Sequence, residues 1–196
     1  MRDQTGFLSD NRGVDTIPLK MVVYLTITAV ILVLMVTSWS NISPFIEGAD
    51  VDRQLKDAGL GISSIQDGYA RDLEATGQDG SMCTVSLSMS DNVRYVAFGV
   101  DPDPDMDGNL TNSGWMLENN TILCQYVSDV KERTFLEGDP VRFRKGVIDV
   151  NGKWVIDGDL AVNPGHYQGV VIEGPIEGDF VFELVRGDEI FTLSHF

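Results

Sequence analysis

The feature that most constrains this chain is the run Met21–Val36, MVVYLTITAVILVLMV, sixteen residues without a charge. Thr37, Ser38 and Trp39 extend the uncharged stretch to nineteen. A helix that spans a bilayer needs about 20 largely apolar residues. Lys20 is placed to snorkel at one end and Trp39 to sit at headgroup level at the other. A buried core helix is the competing reading. It is disfavoured because nothing else in the 196 residues is apolar enough to wrap such a segment on all sides.

Charge is distributed unevenly about this run. Residues 1–20 hold Arg2, Arg12 and Lys20 against Asp3, Asp10 and Asp15, so the leader is neutral overall. The whole net charge of −16 therefore falls after the run. Within about 20 residues beyond it lie only Arg53 and Lys56 as basic groups, and this bias predicts an N-terminus inside. A surface this acidic repels phosphates, which argues against nucleic-acid binding. No small-residue cleavage site follows the run, so the helix is expected to stay with the mature protein.

The thirteen residues MRDQTGFLSDNRG are polar and end in Arg12-Gly13, a few residues before the hydrophobic run. A short polar leader ending in basic-Gly before a hydrophobic helix resembles the class III signal peptide of archaeal type IV pilins. The resemblance covers roughly residues 1–45 and implies cleavage between Gly13 and Val14 by a prepilin peptidase. Bacterial relatives usually carry a glutamate at the fifth mature position, where this chain has Pro18. The resemblance further implies a subunit, major or minor, of a surface filament. It would be extracted by an assembly ATPase and platform and would self-associate through the hydrophobic helix. The alternative is a permanently anchored extracellular binding module.

The chain therefore divides into a leader (1–13), a transmembrane or filament-core helix (14–45), an amphipathic stalk helix (46–75) and an acidic β-rich extracellular domain (76–196). Pro44 and Gly48 predict a kink or break between the two helices. Beyond it Val51, Leu55, Ile62, Ile65 and Tyr69 recur at helical spacing. From Ser81 onward the apolar period becomes two. Strands are expected at Met82–Met89, Val93–Val100, Thr121–Val127, Val141–Val150, Lys153–Ile156, Gly169–Ile172, Phe180–Val185 and Glu189–Leu193. Asn151-Gly152 predicts a hairpin with both residues at positive φ, and Gly187-Asp188 predicts a second. The class is α+β: a long N-terminal hydrophobic helix followed by an antiparallel sandwich or barrel-like domain.

Cys83 and Cys124 both fall on the exterior side, where a disulfide is permitted. A bridge would close a loop worth roughly 3–4 kcal/mol; two buried thiols are the other possibility. Sequons stand at Asn41, Asn109 and Asn119. The one cluster with chemical content is Asp101, Asp103, Asp105, Asp107, Gly108 and Asn109. Alternate carboxylates before a turn glycine resemble the first half of an EF-hand calcium loop. Counting from Asp103, position 12 is Gly114 rather than glutamate, so a bidentate ligand must come from elsewhere, such as Glu118. A solvated acidic hairpin is the competing picture. His166 lies in a turn sequence and His195 next to the C-terminal residue. No nucleophile, metalloprotease or phosphate-loop motif is present, so no catalytic residue is assigned.

Overall fold

The computed structural model describes residues 16–74, 78–110, 114–157 and 168–196. Two compact units emerge, Met1–Gly48 and Ala49–Phe196. The fold class is α+β: one long apolar N-terminal helix and a mostly β unit with antiparallel sheets, without closure into a barrel.

Helix α1 spans Thr16–Ile65. Pro18 falls in its first turn, where a missing N–H breaks no intrahelical bond. The break expected at Pro44 and Gly48 does not occur. Proline removes one backbone hydrogen bond and strains one turn, but it does not stop a helix whose later turns are fixed by packing. Within the first unit, Leu19–Ser38 is long and apolar enough to cross a membrane or to act as a signal sequence, and none of it is buried. Its hydroxyls turn inward: Thr26, Thr28 and Thr37 donate to the carbonyls of Val22, Tyr24 and Val33 at 2.8–2.9 Å. Every polar side-chain atom of these threonines thus finds a partner inside the helix, as an apolar surrounding requires.

The second unit begins with the C-terminal part of α1. Val51, Leu55, Ala58, Ile62 and Ile65 are buried there, while Tyr69 is exposed and lies past the helix end. The stalk helix predicted to residue 75 thus stops at Ile65 and is part of the β unit's core. Gly59 has a packing reason: a Cβ there would stand 3.0 Å from Leu136 Cδ2. The absent side chain lets the helix backbone approach closely.

Among the described residues eleven strands follow: β1 Arg71–Asp72, β2 Met82–Ser88, β3 Val93–Asp101, β4 Met116–Tyr126, β5 Lys131–Phe135, β6 Phe143–Arg144, β7 Gly146–Ile148, β8 Trp154–Ile156, β9 Val170–Glu173, β10 Glu177–Arg186 and β11 Ile190–His195. One sheet runs β1-β10-β11-β6, with β2 also paired to β10. A second runs β5-β4-β3-β9, and β7-β8 form a separate ribbon. All pairs are antiparallel except β1 with β10 and β11 with β6.

The predicted strand Val141–Val150 is two short strands that serve different sheets. The hairpin at Asn151-Gly152 forms, but only Gly152 takes a positive φ, 77°. The carboxylate of Asp149 accepts from the N–H groups of Asn151 and Lys153 at 2.8 Å, which holds a wider turn than a two-residue one. The hairpin at Gly187-Asp188 joins β10 to β11 as expected.

The two larger sheets share one core. Phe182 of the first touches Phe98 of the second with ring centroids 4.9 Å apart, and Phe143 closes the group at 5.7 Å from Phe98. The edge of β2 is capped by α1. Gln54 Nε2 donates to the Ser88 carbonyl (2.9 Å), and the Ser88 N–H donates to Gln54 Oε1 (2.7 Å).

A buried ion pair joins β1 to β10. Arg71 donates through Nε (2.7 Å) and Nη2 (2.8 Å) to Glu183, which is fully buried. The Gly80 N–H adds a bond at 2.8 Å, and His195 Nε2 lies 2.9 Å away. Burial alone would raise the Glu183 carboxyl. The bonds from Arg71 and Gly80 and the close approach of the His195 ring outweigh it and hold the group at about 2. The stabilisation is therefore complete above the ordinary carboxyl value of 4.5 and is lost as pH falls towards 2. Arg71→Ala leaves that charge buried without its partner and is expected to cost about 3–5 kcal/mol in urea unfolding at pH 7. The loss should shrink as the pH falls from 4.5 towards 2. A cost below about 1 kcal/mol would show the pair to be incidental.

Candidate functional site

The acidic loop grows out of the end of β3. That strand is buried on both faces, with Val96 and Phe98 in the shared core and Tyr95, Ala97 and Val100 in a second, smaller cluster. Leu123 of β4 joins the second cluster, and Leu110 and Trp115 pack onto it from the far end of the loop. The indole N–H of Trp115 donates to the Leu110 carbonyl at 2.9 Å. The segment after Asp101 is therefore anchored over the sheet by its own small core. Between these anchors Pro104, Asp105, Met106, Asp107, Gly108 and Asn109 are exposed to solvent.

Within this loop the carboxylates divide into two groups. Asp101 is buried, and Lys131 Nζ donates to both its oxygens at 2.8 Å. Arg133 Nη2 adds a bond at 3.1 Å while also gripping Glu118 at 2.9 Å. Lys131 reaches further and donates to the backbone carbonyl of Asp103. Lys131 and Arg133 stand two residues apart on β5, so the pleat projects both from one face onto the start of the loop. Asp101, one of the expected ligands, and Glu118, the expected source of a bidentate ligand, are thereby each paired with side-chain cations.

Asp103, Asp105 and Asp107 form the second group. Each offers a carboxylate oxygen, and these atoms all lie within 4.8 Å of one another. Asp103 is fully buried; Asp105 and Asp107 are exposed. The oxygens of Asp103 accept from the backbone N–H groups of Asp107 (2.9 Å) and Gly108 (3.1 Å), which folds the loop around them. Gly108 sits at φ 80° and Met106 at φ 58°, the left-handed conformations that a loop this tight requires. Asn109 is exposed, and its N–H donates to Asp107 Oδ1 at 2.8 Å. Three of the five expected ligands therefore converge. Their chemistry, hard oxygens of like charge held on one curved backbone, suits a single hard cation whose shell is completed by water.

The same side of the sheet carries Tyr95, whose hydroxyl donates to Gln125 Oε1 at 2.5 Å. Burial, and after it the negative charges of Asp101 and Asp103, push the Tyr95 phenol well above its ordinary value. The Tyr95 phenol thus stays neutral at any ordinary pH.

The processing pair Gly13 and Val14 and the turn residue His166 lie outside the described residues, as does the side chain of Asn41. Asn109 and Asn119 are exposed, and the hydroxyl of Thr121, which completes the Asn119 sequon, points to the Asn119 carbonyl (3.4 Å) from a buried position.

The disulfide expected between Cys83 and Cys124 is not formed; both thiols are free. Cys83 lies on β2 and Cys124 on β4, strands of different sheets, and each packs as an apolar group in the shared core. Burial pushes Cys83 up to about 11 and Cys124 to about 12, which keeps both as unreactive thiols.

No protein-family description, curated protein or solved structure matches the chain.

Millimolar Ca²⁺ is expected to raise the Tm of the protein. At a hundredfold excess over Kd the gain is about 2.7 kcal/mol, or about 5–10 °C for a unit of this size. Asp103→Ala and Asp105→Ala should abolish the shift, and an unshifted parent would retire the metal. For the cysteines, the intact mass under non-reducing conditions should be unchanged by reductant. Two thiols should react with maleimide only after denaturation; a gain of two hydrogens on reduction would restore the bridge.

Proposed function

We propose that the chain is a structural subunit, major or minor, of an archaeal type IV pilus-like surface filament. It is made as a single-pass membrane precursor with its N-terminus inside. The observation that carries this reading is the division of labour along α1. One helix presents Leu19–Ser38 wholly exposed and apolar, while its later turns supply Val51, Leu55, Ala58, Ile62 and Ile65 to the core of a β unit. Residues of that exposed stretch reach 47–69% relative exposure among the large hydrophobics, a surface that water does not tolerate over twenty residues. In the precursor the cover is lipid. In the filament it is the same stretch of neighbouring copies, packed into a dry centre with the acidic β units facing solvent.

The polar leader that ends in Arg12-Gly13 supplies the switch between these two covers. A prepilin peptidase cuts between Gly13 and Val14, and an assembly ATPase with its membrane platform then extracts the shortened helix. The helix's inward-turned threonine hydroxyls suit both lipid and a dry filament core. The acidic loop gives the outward unit a place for a calcium ion that would stiffen the β3–β4 connection.

A second reading, a permanently anchored extracellular binding module, is favoured by a cavity of about 990 Å³ in the β unit. Its walls include Leu73, Ile156 and Phe191 together with Arg144 and Glu189, a mixture of apolar surface and charge. N-terminal sequencing of the protein from the surface of producing cells separates the two. Val14 at the terminus supports the filament subunit, and Gly13→Val should then abolish processing. An intact Met1 supports the anchored module and contradicts the filament reading.

A further inference from the structure

The ionic character of the β unit carries a consequence for how copies meet. After residue 40 the chain holds 27 acidic and 11 basic residues. Among the described residues nine of those basic groups already lie in ion pairs within the chain. They run from Arg53 and Lys56 on α1, through Arg71 in the core and Lys131 and Arg133 behind the acidic loop, to Arg142 and Arg144 beside Glu189. Lys153 and Arg186 are the two outside any such pair. The surplus carboxylates are exposed and come from separate parts of the unit. Asp67 follows α1, Asp91 lies between β2 and β3, Glu137 and Asp139 follow β5, Glu177 opens β10, and Asp188 sits in the β10–β11 turn.

Two identical surfaces associate through charge only when one offers cations where the other offers anions. This unit has almost no unengaged cation to offer, and its exposed anions are spread over many elements. With 27 acidic against 11 basic groups, neighbouring copies therefore meet with a surplus of like charge facing in most orientations. Screening changes that balance steeply, because the Debye length falls from about 30 Å at 0.01 M salt to about 3 Å at 1 M.

We propose that contact between neighbouring β units depends on cations supplied by the medium, so that salt switches the cohesion of the assembly. The inference rests on the filament reading above and deepens it by naming the partner that lateral contact requires: mobile mono- or divalent cations.

The test uses filaments sheared from cells that produce the full chain, dialysed against NaCl from about 1 M down to about 0.01 M and then sedimented. The sedimentable fraction is expected to fall at least about fivefold at the low end, and millimolar Mg²⁺ should prevent much of that loss. The triple variant Asp91→Asn/Asp139→Asn/Asp188→Asn changes only exposed side chains. It should keep its fold by circular dichroism and move the salt midpoint downward at least about twofold. A sedimentable fraction that stays constant over the series, or a midpoint that the triple variant leaves in place, overturns the cation dependence while leaving the filament intact. Absence of filaments at every salt concentration, including the highest, overturns the filament reading and this inference with it.

Discussion

A helix that leaves a largely apolar stretch of twenty residues with none of it buried cannot persist in water as it stands. Each large aliphatic side chain left in water forgoes about 1.5–3 kcal/mol relative to burial, and Leu19–Ser38 carries more than a dozen of them with none buried. That single constraint dictates most of what can be said about the chain. Such a stretch suits a membrane span or a signal sequence, and on the filament reading its cover is hydrocarbon or the same surface on another copy. The threonines within it are compatible with either cover, because their hydroxyls already bond to carbonyls one turn back.

The β unit solves a different problem. It draws the end of α1 into a core shared by two sheets, with the Phe98, Phe143 and Phe182 group joining them. It also carries two polar arrangements that a purely apolar design would omit. One is Arg71 on buried Glu183, tying the two-residue strand β1 to the long strand β10. The other is Lys131 and Arg133 on Asp101, which fixes the root of the acidic loop and leaves Asp103, Asp105 and Asp107 as a separate cluster. Both arrangements bury charge only where opposite charge or backbone N–H groups meet it.

Much of the architecture was legible because hydrophobic period is a local property. The stripe Val51, Leu55, Ile62 and Ile65 and the alternation in Thr84–Met89 report directly on what is buried, while the uncharged run at Met21–Val36 reports an apolar surface that the fold leaves exposed. What escaped depends on partners distant in sequence. Strand β5, KERTF, is too polar to announce itself, yet its Lys131 and Arg133 are the cations that claim Asp101. A Lys-x-Arg step has the period-two spacing that sets both charges on one strand face, and that was the signal available. The two-residue strands β1 and β6 have no pattern of their own and exist through parallel pairing to β10 and β11. Pro44 misled because a break signal reads one turn, whereas the helix is held by packing that begins at Val51. Cys83 and Cys124 misled because compartment permits a disulfide, while the fold places the two on strands of different sheets.

The central claim is that Leu19–Ser38 remains in the finished protein and is covered there. Single-cysteine labelling tests it directly, in a background where Cys83 and Cys124 are replaced by alanine or serine. Val30→Cys should resist a membrane-impermeant maleimide on intact producing cells and react once detergent and denaturant are added, while Ser90→Cys should label at once. Val30→Cys reacting as readily as Ser90→Cys, or a surface protein from which residue 30 has been removed, would contradict the account.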